Sequence, residues 1–331
     1  MPVIPSQFNS PPFLRNAHVQ TILPVLLPRR LPFRFTRERL ELPDGDFVDL
    51  DWLRRGRARV AIVAHGLEGC TAHGYMRGAA AALDRAGWDV LAWNFRGCGG
   101  EPNRLLRFYH SGETGDLGAE IQRAASEYGC IALIGFSLGG NVILKYLGEA
   151  PPHPAIVGAV AISVPIDLRA SARVLDERAS NRIYLRLFMK SLATKIVAKA
   201  RRFPADLDAT GAQTIRTFHQ FDQRYTAPLH GFRDAEDYWA RSSARRYLGG
   251  IGLPTLLINA LDDPFLTAES MPFAEAEASA SFYFEAPAHG GHAGFLDLAN
   301  GLERWSERRV VQFLEEVIRH QKSVISHGRD H

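Results

Sequence analysis

Cysteine and long apolar runs are scarce in this sequence. The 331 residues include three cysteines, Cys70, Cys98 and Cys130. So small and odd a number does not form a disulfide scaffold, and we expect a reducing compartment. No stretch of eighteen apolar residues runs without a charge, which argues against a membrane-spanning helix. Prolines interrupt the first apolar residues, which argues against a signal peptide. These absences predict a cytoplasmic protein.

An excess of charge of either sign is also lacking. The chain has 39 Lys and Arg against 36 Asp and Glu, a formal charge of +3, so the charge gives no reason to expect a nucleic-acid partner. Cys70 and His73 have half of a metal-ligand spacing, but no second half follows. We therefore expect no metal site. The remaining composition is that of an ordinary globular protein.

Segments typical of strands and of helices alternate after a proline-rich arm. Alternating residues around Asp44 and Gly45 predict a β-hairpin. Six further apolar runs predict strands: RVAIVAHGL, WDVLAWNFRG, CIALIGF, AIVGAVAISVPI, PTLLINAL and ASFYFEAP. The alternation predicts an α/β fold with a mostly parallel central sheet, an antiparallel N-terminal hairpin and helices on both faces.

One segment interrupts this alternation. Residues 167–247 are helical in pattern and basic, with no clear strand, and they separate strands of one sheet. We therefore predict an N-terminal arm over residues 1–40, a core formed by residues 41–166 and 248–325, and an inserted helical lid over residues 167–247.

Ser137 stands between Gly135 and Gly139, where the apolar run CIALIGF gives way to a helical pattern. A tight strand-to-helix turn with small neighbours raises a serine hydroxyl clear of the sheet and directs the helix N-terminus at it. The glycine spacing fits neither a dinucleotide-binding loop nor a phosphate loop. A serine hydroxyl is a weak nucleophile, so this interpretation requires a histidine base and an orienting carboxylate.

Both required residue types follow later strands. Asp262 and Asp263 come directly after PTLLINAL, and His289 and His292 lie in the loop after the last strand. The carboxyl ends of parallel strands meet at one edge of a sheet, so these side chains are expected near Ser137. Serine, aspartate and histidine in this order are expected of an α/β-hydrolase.

The segment AHGLEG follows the first parallel strand and is placed to form an oxyanion hole. Gly66 permits a tight turn that exposes the backbone amide of Leu67, and the amide of Leu138 follows the serine at the helix start. We expect His65 to shape the turn rather than to react.

Several motifs together resemble those of a known protein family. HGLEG, NFRGCGG, GFSLGGN, NALDDPF, GGHAGF and the N-terminal NAHVQT resemble the YheT-like branch of the α/β-hydrolase superfamily, also called the AB hydrolase 4 family. The resemblance spans nearly the whole chain. It implies a serine esterase or lipase-type hydrolase that acts on acyl esters, with a small-molecule ester as the substrate. Ser137 would be the nucleophile, one of the paired aspartates the orienting acid and His292 the base, with no metal or organic cofactor.

The choice within each pair follows from sequence position. In hydrolases of this type the acid commonly precedes a proline or small residue and two apolar residues, which Asp263 does and Asp262 does not. Alternation at a strand end also sends the two side chains in opposite directions. We therefore predict Asp263 as the acid. His292, in the family-like GGHAGF, is preferred to His289.

Other functions stay open on the sequence alone. The same acyl-enzyme could be resolved by an alcohol or thiol, which would make the protein an acyltransferase. A peptidase or a C–C hydrolase could use the same triad, and a binding protein could share the fold without chemistry. The sequence does not predict an oligomeric state.

A basic stripe lies within the predicted lid. Arg178, Arg182, Arg186 and Lys190 follow at four-residue steps, which predicts that they share one face of a helix. The stripe has two interpretations. It is either an ordinary solvated face or a peripheral contact with an anionic lipid surface or head group, with nearby apolar residues guiding an acyl chain toward Ser137.

Overall fold

The centre of the fold is a nine-stranded sheet. The computed structural model describes residues 2–27, 29 and 31–327. In the last helix it describes side chains as far as residue 321. The strands are β1 (Val3–Ile4), β2 (Thr36–Glu41), β3 (Phe47–Leu53), β4 (Val60–Ala64), β5 (Asp89–Asn94), β6 (Ile131–Phe136), β7 (Ile156–Ile162), β8 (Thr255–Ile258) and β9 (Phe282–Glu285). Their order is β1-β9-β8-β7-β6-β4-β5-β3-β2. The pairings β2–β3 and β3–β5 are antiparallel, and all others are parallel.

The predicted fold class is confirmed. The hairpin around Asp44 and Gly45 is β2 and β3, and the six apolar runs form β4 to β9. The sequence did not predict β1, because two residues are too few to show a periodic pattern. The sheet already begins within the arm predicted over residues 1–40, since β1 pairs with β9 and β2 starts at Thr36.

Helices cover both faces of the sheet. The α-helices are α1 (Ala17–Leu26), α2 (Gly74–Arg85), α3 (Thr114–Ala125), α4 (Leu138–Glu149), α5 (Leu168–Glu177), α6 (Arg182–Arg202), α7 (Phe218–Phe221), α8 (Ala227–Leu229), α9 (Ala235–Ser242), α10 (Phe273–Glu277) and α11 (Trp305–His327). Side chains alternate along β4, so that Ile62 packs in the core under α3 and α4, while Ala61 and Val63 pack in the core under α2 and α11. Burial on both faces explains why the central strands read as continuous apolar runs.

The chain between β7 and β8 forms helices and turns, from α5 to α9, with no strand between residues 163 and 254. One prediction about this segment is wrong. Arg178 does not share a helix with the other three members of the basic stripe, because its extended backbone (ψ 122°) ends α5 and a 3₁₀ turn, Ala179–Asn181, separates it from α6. Arg182, Arg186 and Lys190 do lie on α6, and all three are exposed.

The loop after β5 is fixed by a buried arginine. The Arg96 guanidinium donates to both oxygens of Asp116 at 2.7 and 2.6 Å, and to Asp44 at 2.7 Å and Asp46 at 3.1 Å in the hairpin turn. Removing one partner of such a buried pair commonly costs about 3–5 kcal/mol. This network holds the loop of the NFRGCGG motif against the hairpin and α3.

Candidate active site

Ser137 occupies the turn between β6 and α4. Its backbone has φ 50° and ψ −118°, a strained conformation for a residue other than glycine. The helix crosses the sheet so closely that a Cβ atom on Gly135 would lie 2.5 Å from the Cα atom of Gly140, and one on Gly139 would lie 2.6 Å from the carbonyl oxygen of His65. The absence of side chains at these positions therefore permits the turn that exposes Ser137.

His292 and Asp263 form a direct pair. His292 Nδ1 lies 2.9 Å from Asp263 Oδ2 and 3.2 Å from Oδ1. The Asp263 side chain is fully buried and also accepts a hydrogen bond from the Phe265 amide at 2.9 Å, whereas the His292 side chain is 12% exposed. The Phe265 ring lies 4.2 Å from the His292 ring, and the Thr21 hydroxyl accepts the His292 amide at 2.9 Å. These contacts restrict the position of the imidazole.

The neighbouring acid and histidine form a second pair. His289 Nδ1 lies 3.4 Å from Asp262 Oδ2, without hydrogen-bond geometry, and the same carboxylate accepts the Gly291 amide at 2.9 Å. Burial raises the pKa of the Asp262 carboxyl. The side chains of Asp262 and Asp263 thus lie next to different histidines, His289 and His292.

A cavity of about 110 Å³ lies at the carboxyl edge of the sheet. Ser137 and His292 are both on its wall, whereas Asp262 and His289 are not among its lining residues. Most of the other lining side chains are apolar, and the segment between β7 and β8 contributes many of them, including Leu168, Ala172, Leu175, Phe188, Leu192, Phe218, Phe221 and Trp239. The site can therefore receive an apolar group beside the serine and histidine.

Leu67 and Leu138 line the same cavity. The Gly69 amide donates to the Gly66 carbonyl at 3.0 Å and closes a turn in which Leu67 is the second residue. In the described residues, neither the Leu67 nor the Leu138 amide donates a hydrogen bond to another protein group. Two residues of the cavity wall thus have backbone amides without a protein acceptor in the described part of the chain.

His65 is buried below this turn. Its Nδ1 lies 2.7 Å from the Gly66 carbonyl oxygen, and its Nε2 accepts the Phe95 amide at 3.2 Å, so both ring nitrogens have partners. Burial lowers the pKa of His65 to about 3, which keeps the ring neutral. These contacts hold His65 against the turn, and His65 is not among the residues that line the cavity.

Comparisons with known proteins add independent observations. Residues 61–298 match a family described as the alpha/beta hydrolase fold. The chain is 37% identical to the Escherichia coli (strain K12) protein YheT, named as a candidate esterase, over 90% of each chain. The chain belongs to the YheT-like branch of the α/β-hydrolases, the AB hydrolase 4 family. This hydrolase is also 26% identical to the mouse phospholipase ABHD3, over 96% of this chain and 80% of that protein. A solved structure, the Pyrococcus furiosus esterase Pf2001, shares the fold with a TM-score of 0.60 at 19% identity, over 87% of this chain and 97% of that one.

The relatives establish the general activity: the hydrolase is an ester hydrolase of the esterase and lipase type. None of the helices that the structure describes combines the length and the apolar composition needed for a transmembrane span.

One group of side chains in the described part of the hydrolase has the composition of a metal site. Ligand atoms of His110, Glu113 and His230 all lie within 4.8 Å of one another. However, the Gly112 amide donates to His110 Nδ1 at 3.0 Å, which leaves the proton of the neutral ring on Nε2, the nitrogen that faces Glu113. Arg107 already binds Glu113 at 3.1 Å. The His110 tautomer and the Arg107–Glu113 pair thus occupy two of the three possible ligands, while neither ring nitrogen of His230 has a hydrogen-bond partner among the described residues.

Cys70 and His73 contact each other, and their hydrogen bond lowers the pKa of the Cys70 thiol and raises the pKa of the His73 imidazole. They belong to no group of three or more possible ligands within the described residues.

Sequence reasoning missed some residues of the site. Asp222 and Trp239 line the cavity, and the Trp239 indole donates to the Asp222 carboxylate at 2.8 Å. The only signal for them was the aromatic content of residues 218–239, which does not say which side chains face a cavity. Glu68 was also missed, although it stands within the HGLEG motif.

Proposed function

We propose that this hydrolase cleaves carboxylic esters through an acyl-enzyme on Ser137, with His292 as general base and Asp263 as the orienting acid. The observation that carries the proposal is the 2.9 Å contact between His292 Nδ1 and Asp263 Oδ2, made by a histidine that lines the same cavity as Ser137. Asp263 favours the tautomer with a proton on Nδ1 and leaves Nε2 free to accept a proton.

The reaction begins when the Ser137 oxygen attacks the ester carbonyl and His292 takes the hydroxyl proton. The amides of Leu67 and Leu138 stabilise the oxyanion of the tetrahedral intermediate. His292 then gives the proton to the leaving alcohol, and the acyl group stays on Ser137. Water activated by His292 attacks this acyl-enzyme and releases the acid. No step requires a metal or an organic cofactor.

The helical segment is proposed to be a lid, residues 167–247, over a core of residues 41–166 and 248–325. The segment supplies most of the apolar wall beside Ser137. Because this wall contacts whatever enters the cavity, the lid would select the acyl group while the core supplies the chemistry. We propose an apolar acyl chain as the group that lies against it.

A peripheral contact with anionic lipid is proposed for the exposed face of α6. Arg182, Arg186 and Lys190 have no carboxylate within salt-bridge distance among the described residues. On the same helix Ile183 is 57% exposed and Leu187 is 62% exposed. Apolar side chains bordered by cations fit the boundary of an anionic bilayer.

Labelling with a fluorophosphonate tests the proposed chemistry. The reagent forms a covalent bond with an activated serine, so the wild-type protein should be labelled on Ser137 and the Ser137→Ala variant should not be. A Ser180→Ala variant, which changes an exposed serine in the turn before α6, should be labelled like the wild type. Product analysis with a competing alcohol then separates hydrolysis from acyl transfer. Labelling at another residue would contradict the proposal.

A further inference from the structure

We infer that the ion pair between Glu68 and Lys195 positions the oxyanion loop and couples helix α6 to catalysis. The inference rests on the proposed function, because it takes the Leu67 amide as an oxyanion donor. Glu68 follows Leu67 directly and is not among the residues that line the cavity. It is therefore a positioning residue that acts through its neighbour.

The backbone of this loop has a conformation that its sequence does not favour. Leu67 and Glu68 are the central residues of the turn closed by the Gly69 amide and the Gly66 carbonyl. Glu68 has φ 54°, in the left-handed region where the third residue of a turn is usually glycine. The turn therefore needs contacts outside itself to keep the Leu67 amide in place.

The Glu68 side chain and amide make those contacts. Its amide donates to the Tyr109 hydroxyl at 2.8 Å, and the same hydroxyl donates to Glu68 Oε1 at 2.7 Å. Lys195 Nζ donates to Oε1 at 2.7 Å, and the Ser191 hydroxyl donates to Oε2. The Glu68 side chain is only 6% exposed, so solvent screens the ion pair weakly.

Neighbouring residues of helix α6 contact both the loop that carries Glu68 and the cavity. Ser191 and Lys195 are one helical turn apart and both bind Glu68, while Leu192 lies on the cavity wall. The Lys195 ammonium also lies 4.9 Å from the centre of the Tyr109 ring. A shift of α6 away from the core would break these contacts and release the turn that carries the Leu67 amide. Oxyanion stabilisation would then depend on the position of the lid helix.

The test compares Glu68→Gln, Lys195→Met and the double variant in hydrolysis of a soluble nitrophenyl butyrate. Removing a whole oxyanion donor costs about 10²–10³ in kcat, so indirect displacement should cost roughly 10- to 100-fold in kcat with little change in KM. Inhibition by a trifluoromethyl ketone, which forms an oxyanion on the serine, should weaken by a similar factor. The double variant should be no worse than the worse single variant, because both changes break one pair.

Controls separate positioning from general damage. Lys195→Arg should recover much of the activity, and Arg201→Met, an exposed cation on the last turn of α6, should match the wild type. Tyr109→Phe removes one hydroxyl and keeps both charges, so it tests the network even where Glu68→Gln fails to fold, and it should lower kcat less. Activity within twofold of the wild type, a rise in KM alone, or multiplicative losses in the double variant would overturn the inference. If the wild type takes no fluorophosphonate label on Ser137, the proposed function fails instead.

Discussion

His292 Nδ1 lies 2.9 Å from Asp263 Oδ2 and donates a hydrogen bond of ordinary length to this carboxylate, which solvent does not reach. The neighbouring pair, Asp262 and His289, is separated by 3.4 Å, and its histidine is 39% exposed. Two acids adjacent in the chain thus face two different histidines, and only one of these histidines lines the cavity with Ser137.

This difference predicts unequal effects of the two acid substitutions. Asp263→Asn should lower kcat by about 10⁴-fold, the loss seen in the best-studied triad, because the amide favours the wrong tautomer of His292. Asp262→Asn should cost much less. Steady-state hydrolysis of a nitrophenyl ester measures both. The opposite ranking would give the orienting role to Asp262.

The proposed lipid contact predicts a loss that depends on how the substrate is presented. In the Arg182→Gln/Arg186→Gln variant, hydrolysis of an acyl ester on anionic vesicles should fall. Hydrolysis of the same acyl group on neutral vesicles or as a soluble ester should not change. Salt should weaken the wild-type preference for anionic vesicles, because it screens exposed charges.

An Arg201→Gln variant is the control for a general loss of positive charge on α6 and should behave like the wild type. Equal rates on every form of substrate would leave the stripe as an ordinary solvated surface.

Asp222 predicts a pH dependence of stability. Burial raises the pKa of its carboxyl to about 7 from a value of 3.8 for an unperturbed group. Between these two values the folded protein holds a proton that the unfolded chain has lost, so this group makes stability fall as the pH rises. Asp222→Asn removes the titration, and its amide oxygen can accept from the Trp239 indole while its amide nitrogen donates to the Thr226 hydroxyl.

The free energy of unfolding of the Asp222→Asn variant minus that of the wild type should therefore be larger at pH 8 than at pH 5. Urea denaturation of both proteins at both pH values measures this difference. Parallel stabilities of the two proteins across that range would contradict the raised pKa.

The sequence predicted what depends on local pattern. Buried parallel strands give continuous apolar runs, and the motif around Ser137 follows from the close approach of α4 to the sheet, so both could be read from residue order. Arg96 and Glu68 could not, because their partners lie in other segments and are brought together only by the fold. Arg178 shows the limit of periodicity: a spacing of four residues does not reveal that the backbone turns between two helices.

Replacing the proposed nucleophile, Ser137, tests the central claim most directly. Ser137→Ala removes one hydroxyl from a small side chain, so the fold and melting temperature should stay unchanged while kcat for a nitrophenyl ester falls by about 10⁴-fold or more. The measurement is steady-state hydrolysis by wild-type and variant proteins purified side by side, with the melting temperature of each. A folded variant that kept more than roughly a tenth of the wild-type kcat would show that Ser137 is not the nucleophile.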